Sequence, residues 1–146
     1  MPLRAVIYSS RVAENCDAEA VRRIVAESAR FNQMAGVTGV LLFDGSRFLQ
    51  YFEGPEDGVR AVYERIRSSE MHADLSELAH GRVAKRLFPY WRLEWLPIDP
   101  ADMGRMADAD WSLPSTSAEG ADSSPPGVAY LVGFVERSVP TPAQHP

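Results

Sequence analysis

The sequence predicts an α+β fold whose core elements follow the order βαββαββ, and three observations carry that reading. Short runs of alternating apolar and polar residues recur along the chain, as half-buried strands require. Two intervening segments instead repeat their apolar residues at spacings of three and four, the period of a helix with one buried face. Asp44-Gly45 joins two of the β-rich runs through a tight-turn dipeptide, in which glycine accepts the positive φ that a short hairpin needs.

The first strand is expected over residues 3–9. After a polar stretch, Asp17 caps a helix that presents Val21, Ile24, Val25, Ser28 and Phe31 on one side, and Gly36 supplies its stop. Residues 37–43 and 47–53 form the antiparallel hairpin. Gly54-Pro55 opens a second helix with Val59, Val62 and Ile66 on its apolar face, ending near Ser69. Residues 74–83 and the aromatic-rich residues 89–96 read as two more strands. This order contains a split βαβ, so strands one and three lie side by side. The expected architecture is ferredoxin-like: a five-stranded mixed sheet with two helices on one face and the C-terminal helices on the other. Those C-terminal elements are a short helix over residues 100–111, a Ser/Pro/Gly-rich loop over 113–127 and a second helix over 128–137. Tyr130, Leu131, Phe134 and Val135 of the last helix either cover the open sheet face or meet another subunit. Residues 140–146 are expected to be disordered.

Bulk properties narrow the function. At 146 residues, with 45% apolar and 24% charged side chains, the chain has the size and composition of one soluble domain with a real core. A net charge of −5 and scattered arginines give no footprint for direct nucleic-acid binding. No stretch approaches the ~20 apolar residues of a membrane span. The lone Cys16 excludes an intrachain disulfide framework, the histidines His72, His80 and His145 show no ligand spacing, and no targeting leader is expected, since residues 3–8 already read as a strand. A cytoplasmic location is expected.

Within this frame Tyr8 and Gln50 fall on adjacent central strands. Period two places Gln50 on one face with Phe48 and Phe52, so an amide is set among aromatic rings and needs a polar partner. A structural Gln–Tyr hydrogen bond satisfies that need, and so does a ligand. Asn32 reads equally as a helix-end cap, Ile24 and Ile66 as core packing, Arg65 as a solvated helix arginine and Trp91 as a half-buried strand aromatic.

Taken together, Ile7-Tyr8-Ser9-Ser10, Asn32 with Gly36-Val37-Thr38-Gly39-Val40-Leu41, and Arg47-Phe48-Leu49-Gln50 followed by Glu53-Gly54 resemble the BLUF family of blue-light sensors using FAD, in its short stand-alone form. The likeness continues through Ile66, His72 and Arg86-Leu87-Phe88-Pro89-Tyr90-Trp91. It implies a flavin-binding photosensor domain over residues 1–98, a helical extension over 99–139 and a tail over 140–146. It further implies that Tyr8 is the photochemical donor and that Gln50 bridges its hydroxyl to flavin N5 and O4. Asn32 would hold the carbonyl edge of the ring, Ile24 and Ile66 would sandwich it, Arg65 would reach the ribityl or phosphate part, His72 would be a further cofactor contact, and Trp91 and Leu93 would couple the signal to the last strand. The implied cofactor is FAD, with FMN or riboflavin as alternatives. The implied partners are a separate downstream protein and further copies of the chain. A switch suits these residues, because Gln50 carries both an acceptor and a donor and can exchange them without moving the backbone. A new donor at O4 would shift the flavin spectrum to the red.

The pattern departs from the family at Leu93, where a methionine commonly stands, at Phe31 before the asparagine, and at Ser69 and Met71 before His72. Leucine removes a weak acceptor, and the other changes remove polar contacts from the ribityl region. A fold that has lost its flavin and serves as an interaction module, and a small flavin-dependent enzyme, are the other two readings of the sequence.

Overall fold

The computed structural model describes residues 2–14, 17–69, 72–111 and 126–138. Among the described residues nine elements follow in order: β1 (Leu3–Val12), α1 (Ala18–Ala35), β2 (Thr38–Phe43), β3 (Arg47–Pro55), α2 (Glu56–Arg67), β4 (His72–Val83), β5 (Glu94–Pro97), α3 (Pro100–Ala107) and α4 (Pro126–Ser138). The five strands form one mixed sheet in the order β4-β1-β3-β2-β5. β3 lies antiparallel between β1 and β2, and β5 joins the outer side of β2 in parallel. The β1–β3 register sets Tyr8 directly opposite Gln50.

The local signals act as the residue types require. Asp17 accepts from the Ala20 N–H at 2.8 Å to cap α1, and Gly36 ends it at φ 74, where a side chain would be strained. In the β2–β3 turn Asp44 Oδ1 accepts from the N–H groups of Ser46 and Arg47, and Gly45 takes φ 101. Near the start of α2, a Cβ on Gly58 would stand 2.1 Å from the Ala35 carbonyl oxygen. Glycine thus lets this end of α2 press against the end of α1.

Both sheet faces are covered. Val6, Tyr8, Leu41, Phe48 and Phe52 pack with side chains of α1 and α2. Ala5, Ile7, Val40, Leu42, Leu49 and Tyr51, their neighbours in the alternation, pack with Met103, Met106, Trp111, Val128, Leu131 and Phe134 from α3, α4 and the segment between them. Leu131 and Val135 are buried against the sheet, while Tyr130 is half-buried and reaches the Arg105 guanidinium.

Four expectations need correction. The last strand is Glu94–Pro97 only, so Trp91 precedes it instead of lying in it. β4 begins at His72 rather than Asp74, because its pairing with β1 continues through irregularities to Val12↔His72. The short C-terminal helix stops at Ala107, before Trp111. Pro126 and Gly127 belong to α4 and not to the preceding loop. The rest of that loop, the 140–146 tail, Cys16, Met71 and His145 lie outside the described residues.

Candidate functional site

The site is a wedge between α1 and α2 on the sheet face that carries Tyr8 and Gln50. The helices touch closely at Gly58 and Ala35, and the space opens towards the first half of α1 and the last turns of α2. There a cleft of about 270 Å³ is lined by Ile24, Glu27, Ser28, Arg65, Ile66, Ser69 and His72. A narrower cavity of about 20 Å³ shares Ser28, Arg65, Ile66 and His72 with it and reaches Tyr8, Asn32, Gln50 and Leu93.

Tyr8 is fully buried and donates its hydroxyl to Gln50 Oε1 at 2.5 Å. Burial, with a smaller contribution from Tyr63, pushes its phenol well above the ordinary range, so the hydroxyl keeps its proton. With Oε1 engaged by Tyr8, the amide nitrogen is the group Gln50 has left for the cavity it lines. Asn32 is buried, lines the same cavity and gives one N–H to the Arg92 carbonyl at 3.0 Å. Its second N–H is therefore available to a ligand.

His72 opens β4 with its ring edge-on to Tyr8 and tilted against Phe48, and its Nδ1 pairs with Ser10 Oγ at 2.7 Å. Burial lowers its pKa to about 4, so it is neutral at physiological pH. Arg65 bridges the mouth of the cleft, donating to Ser28 Oγ on α1 at 2.8 Å with its guanidinium 5.0 Å from the Phe31 ring. That pairing makes Arg65 a latch between the helices rather than a solvated surface arginine. Ile66 lines both spaces, and Ile24 lines the outer one and packs with Val21, Val25, Leu41 and Phe48.

The structure therefore gathers Tyr8, Gln50, Asn32, Ile24, Ile66, Arg65, His72 and Leu93 around one cleft. It does not bring Trp91 there. Trp91 stacks on Phe88 at 5.5 Å, 9° from parallel, and packs into the core beneath α3 and α4. The sequence reading missed three further participants. Tyr63 stacks on Tyr8 at 6.4 Å and donates to Glu77 at 2.8 Å. Ser28 appeared only as a helix-face residue. Glu53 appeared only as part of a hairpin motif, yet it is completely buried. Its signal was present: period two puts it on the face of Leu49 and Tyr51, which the C-terminal helices cover.

Fold and site together define a small-molecule-holding α+β module in which a phenol and two buried amides face a hydrophobic slot between helices. The chain belongs to the BLUF family, sensors of blue-light using FAD, whose model matches residues 3–94. The blue light- and temperature-regulated antirepressor BluF of Escherichia coli (strain K12) is 36% identical over 86 residues, 59% of this chain and 21% of that protein. The chain thus spans about a fifth of that relative's length. The dark-state structure of BlrB, a BLUF protein, superposes with a TM-score of 0.71 at 23% identity, covering 92% of this chain and 95% of that one. Klebsiella pneumoniae BlrP1 with FMN and cyclic diGMP matches at 30% identity and a TM-score of 0.60, over 65% of this chain and 26% of that one.

The residues present fit a flavin. An isoalloxazine ring is flat, apolar on its faces and rimmed by acceptors and one donor. The slot offers apolar walls from Ile24 and Ile66 and amide groups from Asn32 and Gln50 at its inner end. FAD is the family's cofactor. Among the described residues, no helix is long and apolar enough to cross a membrane.

Proposed function

We propose that Tyr8 and Gln50 form the switch of this blue-light sensor and that the signal leaves towards a separate partner protein. Bound FAD supplies absorption of blue light and a strongly oxidising excited state. The chain contributes a hydrogen-bond pair with two arrangements. In the present one Tyr8 donates to Oε1 of Gln50. Half a turn of the amide about its Cγ–Cδ bond exchanges which group faces Tyr8 and which faces the slot, whereas tautomerisation leaves both atoms in place and exchanges their donor and acceptor roles. Either change leaves the backbone in place and alters what the slot presents to its occupant. The observation carrying this reading is the 2.5 Å Tyr8–Gln50 contact, buried and directly across the β1–β3 ladder.

The positions of the other residues support the roles given to them here. Asn32 holds the polar edge of the ring, Ile24 and Ile66 flank its faces, and Arg65 and His72 stand at the outer part of the cleft where a ribityl chain or phosphate emerges. Leu93, beside Gln50, and Trp91, under α3 and α4, sit at the two ends of the coupling segment. Residues 1–98 act as the sensor domain and 99–139 as its helical extension. A cytoplasmic location and a homo-oligomer complete the proposal. Met34 and Tyr90, 90% and 71% exposed, are the first places to seek contacts with partners.

One illumination experiment tests it. Purified protein loaded with FAD should be yellow, and blue light should shift the flavin band to the red and reversibly. Bleaching without a shift would indicate ordinary flavin reduction, as in an enzyme. A protein that stays colourless with added FAD would mean an interaction module.

A further inference from the structure

Building on the photosensor reading, we propose that Glu53 is the positioning residue of the light output. Its buried carboxylate clasps the backbone at Leu87 and Phe88 and so anchors the segment that joins the Gln50 site to the core beneath α3 and α4.

Glu53 is completely buried, and a carboxylate is costly to place there unless every lone pair has work to do. It accepts from the Leu87 N–H at 2.9 Å, from the Phe88 N–H at 2.7 Å and from the Tyr51 hydroxyl at 2.8 Å. Arg86 lies beside it and fastens the start of the same segment, donating to Thr38 Oγ1 at 2.9 Å and to the Gly36 carbonyl at 2.8 Å. Further on, the Gly39 N–H donates to the Trp91 carbonyl at 2.8 Å, and Asn32 donates to the Arg92 carbonyl at 3.0 Å.

Residues 88–93 therefore have one end in each of two cores. Phe88 and Trp91, stacked on one another, pack with Met103, Met106 and Leu131. Leu93 packs on the other side with Val25, Leu41 and Phe48 and lines the cavity of Gln50. Asn32 belongs to both systems, because it lines that cavity and holds the Arg92 carbonyl. A rearrangement at Gln50 or a new demand on Asn32 pulls at residues 92–93. With Leu87 and Phe88 clasped by Glu53, that pull turns the Phe88–Trp91 stack under α3 and α4 instead of dissipating in a loose loop. Without the clasp the same rearrangement reaches the helices weakly, and the lit state loses its restraint.

The test is residue-resolved amide exchange of the FAD-loaded chain in darkness and under blue light, with the absorbance of the flavin followed in parallel. In the unmodified protein, illumination should accelerate exchange at Leu87 and Phe88 by about threefold or more, since local opening sets the rate. Glu53→Gln sets an amide N–H₂ against one of the two backbone donors. It should keep flavin and the red shift, lose dark protection by about tenfold at the amide it opposes and shorten recovery by about threefold. Tyr51→Phe spares the backbone contacts and should stay within about twofold of the parent in both. Absence of a reversible red shift in the parent overturns the sensor reading itself. A normal shift with unchanged Leu87 and Phe88 exchange under light, or a Glu53→Gln recovery equal to the parent's, overturns the role of Glu53 alone. If Glu53→Gln does not fold, the light-dependent exchange of the unmodified protein decides.

Discussion

Replacing Tyr8 with phenylalanine separates the structural worth of the Tyr8–Gln50 bond from its photochemical role. The ring remains, with its contacts to Phe52, Tyr63 and His72, so little apolar burial is lost. What disappears is the hydroxyl that satisfies Gln50 Oε1, at a position where both residues are buried. Stranding that carbonyl costs about 1–3 kcal/mol. For a chain of this size each kcal/mol lowers the melting temperature by about 2–4 °C. A thermal melt of the FAD-loaded variant should therefore midpoint several degrees below the parent, while its absorbance in darkness stays that of bound flavin. Under blue light it should show no reversible red shift. A melt identical to the parent's would refute the buried hydrogen bond, and a preserved reversible shift would refute the assigned role of Tyr8.

His72 has a folded pKa of about 4 against an ordinary value of 6.5, so the unfolded chain binds more protons between those pH values. Stability should then fall as pH drops through that window, by up to about 3 kcal/mol. Glu53, whose carboxyl burial pushes up, works in the opposite sense, so the share of His72 is read as the flattening of the pH profile in His72→Gln; an unchanged profile contradicts it. Leu131→Ala, which empties a fully buried position between α4 and the sheet, should cost about 2–5 kcal/mol in chemical denaturation, whereas a helix that merely rests on the surface would lose far less. Leu93→Met introduces a weak acceptor beside Gln50 and should change dark recovery while leaving flavin bound; recovery indistinguishable from the parent would remove Leu93 from the coupling path.

Much of the fold was legible because local chemistry and global pattern agree. Asp17, Gly36 and Asp44-Gly45 mark element ends by mechanisms that do not depend on distant residues, and the alternation in β3 places Gln50 with Phe48 and Phe52. The Tyr8–Gln50 pair followed from the split βαβ order, although only the register shows them directly opposed. The segment before β5 was misread for a physical reason. Its composition suits a strand, but its backbone groups are claimed elsewhere. The Leu87 and Phe88 N–H groups just before it go to the Glu53 carboxylate, the Arg92 carbonyl within it goes to Asn32, and Glu94–Pro97 pairs with β2. Such bonds join residues tens of positions apart and leave no periodic trace. The Arg65–Ser28 latch escaped for the same reason.

The central claim is that the Gln50 amide changes its hydrogen bonding when light is absorbed. A light-minus-dark infrared difference spectrum of the FAD-loaded protein, prepared with side-chain-labelled glutamine, reads that amide directly. A label-sensitive pair of bands that appears on illumination, decays with the red shift and vanishes in Gln50→Leu is the predicted result. A reversible red shift accompanied by no label-sensitive band would contradict it.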